Sequence, residues 1–240
     1  MESVHHLNEG AGLFHRVSVG LQRGALRLIG AALFVASAVL LAPTYSIAQE
    51  APAAAVPAPL SVSGFRSAQF GMDEAAVRAA IKTDFALGED AIVVGSNTVE
   101  RTKVLTIKAP DVLPEGGISE VSYVFGYASS KLIQVGISWS PQIDPAVDAQ
   151  RLYANGDVLV AYFAAAGYVP ETVRSGIVLN DGILLFRGED SEKHATVLLL
   201  QGSYDKVGDS QPVLTPLSLA LLYAEDSTNP DIFQLKPGQF

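Results

Sequence analysis

The clearest signal along the chain is a change of hydrophobic period. From Asp73 to Lys82 the apolar residues Val77, Ala80 and Ile81 recur at i, i+3 and i+4, which is one face of a helix. Asp73 and Glu74 stand at its start, where the helix dipole favours anions. The period then drops to two. Lys103–Ala109 is rich in β-branched residues and ends at Pro110. Val121–Tyr127 alternates with Val121, Tyr123, Phe125 and Tyr127 on one side, and Leu132–Trp139 with Ile133, Val135, Ile137 and Trp139. Only Ala128-Ser129-Ser130 lies between the last two, so they predict a hairpin.

Helical spacing returns at Leu152, Leu159, Phe163 and Ala166 and stops at Gly167. Asp144-Pro145 reads as its start, an N-cap followed by proline at the first helical position. Asn155-Gly156 interrupts the pattern. It is either a helical glycine costing about 1 kcal/mol or a break between two short helices. Three strands follow, Gly182–Arg187, Ala195–Gln201 and Leu217–Ala224, the first introduced by the turn Asn180-Asp181-Gly182. The expected fold class is therefore α+β: two tandem helix-β-β-β units, residues 62–143 and 144–240, with antiparallel sheet or sheets and each helix packed on one face. The second unit's strands are apolar on both sides, which predicts cover on both. Strict alternation would put Leu184 and Phe186 on one side and Ile183 and Leu185 on the other.

Upstream the pattern is of another kind. Arg23 and Arg27 precede the charge-free run Leu28–Ala42, and Ser46-Ile47-Ala48 supplies small residues before a cut ahead of Gln49. Positive flank, short apolar core and small-x-small site make residues 1–48 a secretory signal. A membrane span needs about 20 apolar residues, so a retained anchor is the alternative rather than the first reading. Residues 49–61 form a linker whose Ala/Pro alternation favours an extended spacer. The expected location is the periplasm or the medium, with membrane contact only through the signal segment if it stays attached.

Several segments carry resemblances. FRSAQFGMDEAAVRAAI is similar to the start of small envelope proteins in which a Gly-Met-x-x-x-x-Val helix leads into an antiparallel sheet. VERTKVLTIKAPDVLP, VSYVFGY, KLIQVGISW and the ending NPDIFQLKPGQF resemble a family of exported bacterial proteins of unassigned function, across most of residues 64–240. The duplicated element order is similar to the β-lactamase-inhibitor-protein architecture. These resemblances imply an exported α+β protein and transfer no catalytic motif. Many small envelope-assembly proteins are lipoproteins, and here this chain departs from them, because it has no cysteine.

Charge and chemistry narrow the function. The formal net charge is −9, and residues 1–48 hold only Arg16, Arg23, Arg27, Glu2 and Glu9, so the remainder is more acidic still. No basic patch survives such a balance, which argues against nucleic acid as a partner. The absence of cysteine removes disulfides, thiolate metal sites and a thiol nucleophile. His194 is the one histidine beyond residue 48; it lies in a polar turn with no G-x-S-x-G elbow to accompany it and reads as an exposed turn residue. Glu189, Asp190 and Glu192, with Asp205 and Asp209 in the next loop, match no calcium loop in spacing and read as solvated hairpin ends. Neither a phosphate loop nor any other motif calls for a cofactor, a metal or a catalytic residue. What remains are apolar and aromatic strand residues: Ile183 and Leu185 on the second unit, and Tyr123, Phe125 and Tyr127 on the first, as a surface for an envelope protein or a small apolar ligand. The expected function is a non-enzymatic periplasmic binding or interaction protein. The alternatives are a periplasmic hydrolase using carboxylates and a structural envelope component tethered by its N-terminus.

Overall fold

The structure is a computed structural model and describes residues 60–110, 112–205, 212–235 and 238. The expected signal, residues 49–59 of the linker and Asp209 lie outside the described residues. A short hairpin, β1 (Gly64–Phe65) and β2 (Ala68–Gln69), leads into α1 (Glu74–Phe85). The Asp73 carboxylate accepts the Ala76 N–H at 3.0 Å to cap the helix, and Ala86 ends it in the left-handed conformation. Val77, Ala80 and Ile81 are its buried face, the face that the spacing predicts.

Four strands follow α1: β3 (Val93–Asn97), β4 (Thr102–Ala109), β5 (Ser119–Phe125) and β6 (Leu132–Trp139). Four follow α2 (Ala149–Ala164): β7 (Ile177–Leu179), β8 (Gly182–Glu189), β9 (Ala195–Asp205) and β10 (Val213–Ala224). The fold is α+β, and in each half one further short strand, β3 or β7, stands between the helix and the three expected strands. The strand order is β3-β4-β5-β6-β10-β9-β8-β7, every neighbour antiparallel. Two meanders thus meet where β6 pairs with β10, from Leu219 opposite Trp139 to Ala224 opposite Gln134, and the two units share one eight-stranded sheet.

Both helices lie in one hydrophobic cluster. Val77 and Ile81 of α1 and Leu152, Leu159 and Phe163 of α2 pack with Leu105, Tyr123, Val135, Trp139, Leu198 and Leu219, all on the same side of the sheet. Each such side chain contributes about 1.5–3 kcal/mol by leaving water. Phe163 stacks on Phe186 at 5.4 Å between ring centroids, which fixes the C-terminal end of α2 over β8.

Two local outcomes differ from the alternation and capping read in the sequence, and a third decides between two readings that the sequence left open. The helix begins at Ala149, not at Pro145, with Asp148 as its cap accepting the Arg151 N–H at 2.8 Å. Asp144 instead accepts the N–H groups of Ile118 and Ala146, both at 2.9 Å, and pins the incoming loop to the start of β5. Asn155-Gly156 does not break the helix. A Cβ on Gly156 would lie 2.9 Å from Leu185 Cδ1, so its bare backbone lets α2 sit close on the sheet. Asn155 is buried and its amide donates to the Gly116 carbonyl at 2.9 Å. A bulge between Leu184 and Phe186 shifts the register of β8. Phe186 therefore joins Ile183 and Leu185 on the helix side, and Leu184 alone faces the other way.

Candidate binding face

The face turned away from the helices is read by following residues that stand opposite one another from strand to strand. One row runs Lys108, Glu120, Ser138, Ala220, Leu199, Leu184 and Ile177. The next runs Thr106, Ser122, Gly136, Leu222, Val197 and Arg187. Directly opposed residues share a face, so the chemistry of this face changes midway across the sheet. Over β4–β6 it is polar, with Lys108 and Glu120 at one end, and Ser122, Gly136 and Ser138 are half-buried. Over β8–β10 it is aliphatic: Leu184, Val197, Leu199 and Leu222 form a second, buried cluster flanked by Ile177 and Leu179.

Two groups border the face. Arg187 bonds Glu189 at 2.5 Å and Ser227 at 3.3 Å, and Ser227 in turn donates to Glu189. At the far end of β5 and β6 the C-terminal segment crosses the sheet. Asp231 accepts the Ala128 and Ser129 N–H groups at 3.0 and 2.8 Å, and its carbonyl takes the Tyr127 N–H. Desolvation pushes the Asp231 carboxyl up, but the bonds from Ser129 and Ala128 outweigh it and hold it below the usual carboxylate range. Phe233 lies under the Arg101 guanidinium, 3.6 Å from the ring centre, and meets Tyr127 edge-on. Beneath this segment Val124, Gln134, Ala224, Pro230 and Ile232 line a cavity of about 10 Å³, which is room for about one water.

The residues singled out in the sequence fall elsewhere. Tyr123 and Phe125 are buried in the main core, and burial pushes the Tyr123 hydroxyl well above its ordinary value. Trp139 is buried beside them. Ile183 and Leu185 pack partly buried against the same core on the helix side. Of the five, Tyr127 alone is exposed, at 45%, and it is engaged with the C-terminal segment. The period-two pattern identified the strands but could not say which side the helices would take. Ser122, Ser138 and Ser218, the polar complement of the same alternation, were the signal for the open face.

His194 is not an exposed turn residue. Its side chain is 18% exposed; Nδ1 lies 3.2 Å from the Asp190 carboxylate, and the ring leans on Phe70. Asp190 is buried, and its two oxygens accept the N–H groups of Val62, Glu192 and His194 at 2.8–2.9 Å. Glu192 and Asp205 are exposed, as solvated hairpin ends are, but Asp190 turns inward and clamps the start of the folded chain to the β8–β9 hairpin. The carboxylates Glu74, Asp144 and Asp231 are likewise committed, Glu74 to Lys103 and Arg78, which lower its pKa. Among the described residues no group of three or more histidine and acidic side chains is placed to hold a metal ion. No helix among them is long and apolar enough to cross a membrane. No protein-family model matches the chain, and comparison with curated proteins and with solved structures gave no match either.

Proposed function

We propose that this chain is an exported, non-enzymatic binding protein of the periplasm, and that it engages a protein partner through the sheet face opposite its helices. The observation that carries the reading is the joining of two meanders into one sheet with both helices on one side. That leaves strands of both units in register on the other side, where half-buried serines and glycine over β4–β6 adjoin the aliphatic side chains of β8–β10. A broad face of half-buried polar groups suits a protein surface met chiefly through hydrogen bonds, while Leu184, Val197, Leu199 and Leu222 are already buried within the chain and only border it. Export is supported by Arg23, Arg27, the run Leu28–Ala42 and the Ser46-Ile47-Ala48 site. The resemblance in element order to the β-lactamase-inhibitor-protein architecture adds fold-level analogy only.

The test is site-specific photo-crosslinking in the living cell, with a photoreactive residue at Ser122 or Ser138 and, as a comparison, at Val158 on the exposed side of α2. Discrete adducts from the two sheet positions and none from Val158 are expected, on a protein whose intact mass begins at Gln49. Equal labelling from all three positions, or none from the sheet, removes this reading.

A further inference from the structure

We propose that residues 28–42, the apolar run of the expected signal, pack on the aliphatic half of the open sheet face in the uncut chain, and that removal of the signal bares that half for the partner. Leu184, Val197, Leu199 and Leu222 are only 1–4% exposed, although both helices lie on the other side of the sheet. Among the described residues their cluster draws on β7, β8, β9 and β10 alone, with Ile177 and Leu179 at its border. Side chains of one sheet face stand side by side, roughly perpendicular to it, so they shield one another's flanks and leave the tips open. Tips are closed by a second layer, which packs about 10 Å away. The same face supplies the comparison. Ala220 stands opposite Leu199, and Gly136 opposite Leu222, yet both are half-buried. The cover therefore stops at β10.

The occupant follows from the segments of this sequence that lie outside the described residues. Residues 206–211 read Lys-Val-Gly-Asp-Ser-Gln, too polar to close an aliphatic surface, and those beyond Leu235 are few. Residues 49–59 offer mostly alanine and proline. Residues 28–42 alone join eight leucine, isoleucine, valine and phenylalanine side chains without a charge. Their reach is sufficient. The cluster spans four strands, three steps of about 4.8 Å each, and fifteen residues cover about 22 Å even at the helical rise. The folded chain begins where Asp190, in the turn between β8 and β9, holds the Val62 N–H. The nineteen residues 43–61 can span about 60 Å from there. A face capped in this way becomes available once a signal peptidase hydrolyses the Ala48–Gln49 bond. What that does for a partner rests on the reading of this face as a binding surface; the packing itself does not.

The experiment takes the full chain with Ala48→Leu to block the cut, purified without partners. It carries a photoreactive residue at Ala220 or, for comparison, at Val158 on the exposed side of α2. Irradiation should join Ala220 to residues 28–42 of the same chain, read by peptide mass spectrometry, and should join Val158 to none of them. Fluorescence of an apolar dye should be low with this chain. It should rise several-fold with the double variant Phe34→Asp and Leu40→Asp, and with the exported form that begins at Gln49, each still melting cooperatively. No adduct from Ala220, or an adduct to another segment or to a second copy, overturns the proposal. So does an exported form that binds no more dye than the uncut chain, since the described residues then cover the cluster themselves. No partner is present in these measurements, so the partner reading stands or falls separately, on its own crosslinks from Ser122 and Ser138.

Discussion

Removing the Asp190 carboxylate should loosen the attachment of the chain's entry segment to the second unit. In the folded protein one oxygen accepts the Glu192 and His194 N–H groups and the other accepts Val62 N–H and approaches His194 Nδ1. Val62 is buried, so its N–H has no ready replacement in water; a buried donor left without a partner costs about 1–3 kcal/mol. The two turn N–H groups are better placed to regain water, and together they add about 1 kcal/mol. Asp190→Ala should therefore destabilise by about 3 kcal/mol. Asp190→Asn keeps an oxygen for the turn but opposes an NH₂ group to the Val62 N–H, and about 2 kcal/mol is expected. His194→Ala leaves all three backbone bonds intact and should cost about 1 kcal/mol or less. Urea titration measures the series, with a constant slope showing that stability alone has changed. Asp190→Ala within about 0.5 kcal/mol of the wild type, the range of ordinary surface changes, would refute the reasoning. So would a His194→Ala effect larger than that of Asp190→Ala.

Two further outcomes follow from other contacts. Gly156→Ala should be close to neutral, because the helix gains about 1 kcal/mol in propensity while the new Cβ meets Leu185 Cδ1 at 2.9 Å; Gly156→Leu should destabilise by about 3 kcal/mol through overpacking, and thermal melts showing Gly156→Leu harmless would mean that α2 does not sit this close. Asp231 has its carboxyl pKa lowered in the folded protein, so its contribution is fully present above the unfolded value of about 3.9 and is lost as pH falls through the folded value. Amide exchange at Tyr127 and Phe233 should rise at acid pH while the core strands stay protected, and Asp231→Asn should exchange quickly there at every pH; identical profiles for the two proteins would exclude the carboxylate as the clasp.

The strands whose two faces differ were legible in the sequence, and so was α1 with its buried triplet. The bounds of Leu132–Trp139 were legible to the residue, and so was the side taken by Val135, Ile137 and Trp139, but a register shift against β5 puts Leu132 rather than Ile133 in the main core. β3 and β7 were not. Val93–Asn97 and Ile177–Leu179 are edge strands with little to bury, and a short edge leaves no period to read. The start of α2 was misplaced because Asp144-Pro145 and Asp148 are equally good local caps; the bond from Ile118, which precedes Asp144 by 26 residues, commits Asp144 to the loop. Local preference also could not settle Asn155-Gly156, whose place inside α2 depends on Leu185 arriving from β8.

The sheet face opposite the helices shows the same division most sharply. Alternation alone determined that Tyr123 and Phe125 share a side, and that Ser122 and Val124 take the other. Which side would be core depended on where α1 and α2 came to rest, a matter of long-range packing. One bulged residue in β8 then moved Phe186 across the sheet relative to strict alternation, leaving Leu184 with Val197, Leu199 and Leu222. A period of two carries no information about an inserted residue, because the shift is defined only against the partner strand. Composition determined the acidic, cysteine-free character of the chain. The pairing of β6 with β10, which makes one sheet of two units, arises from contacts between residues 80 to 90 positions apart, and only the folded structure could decide it.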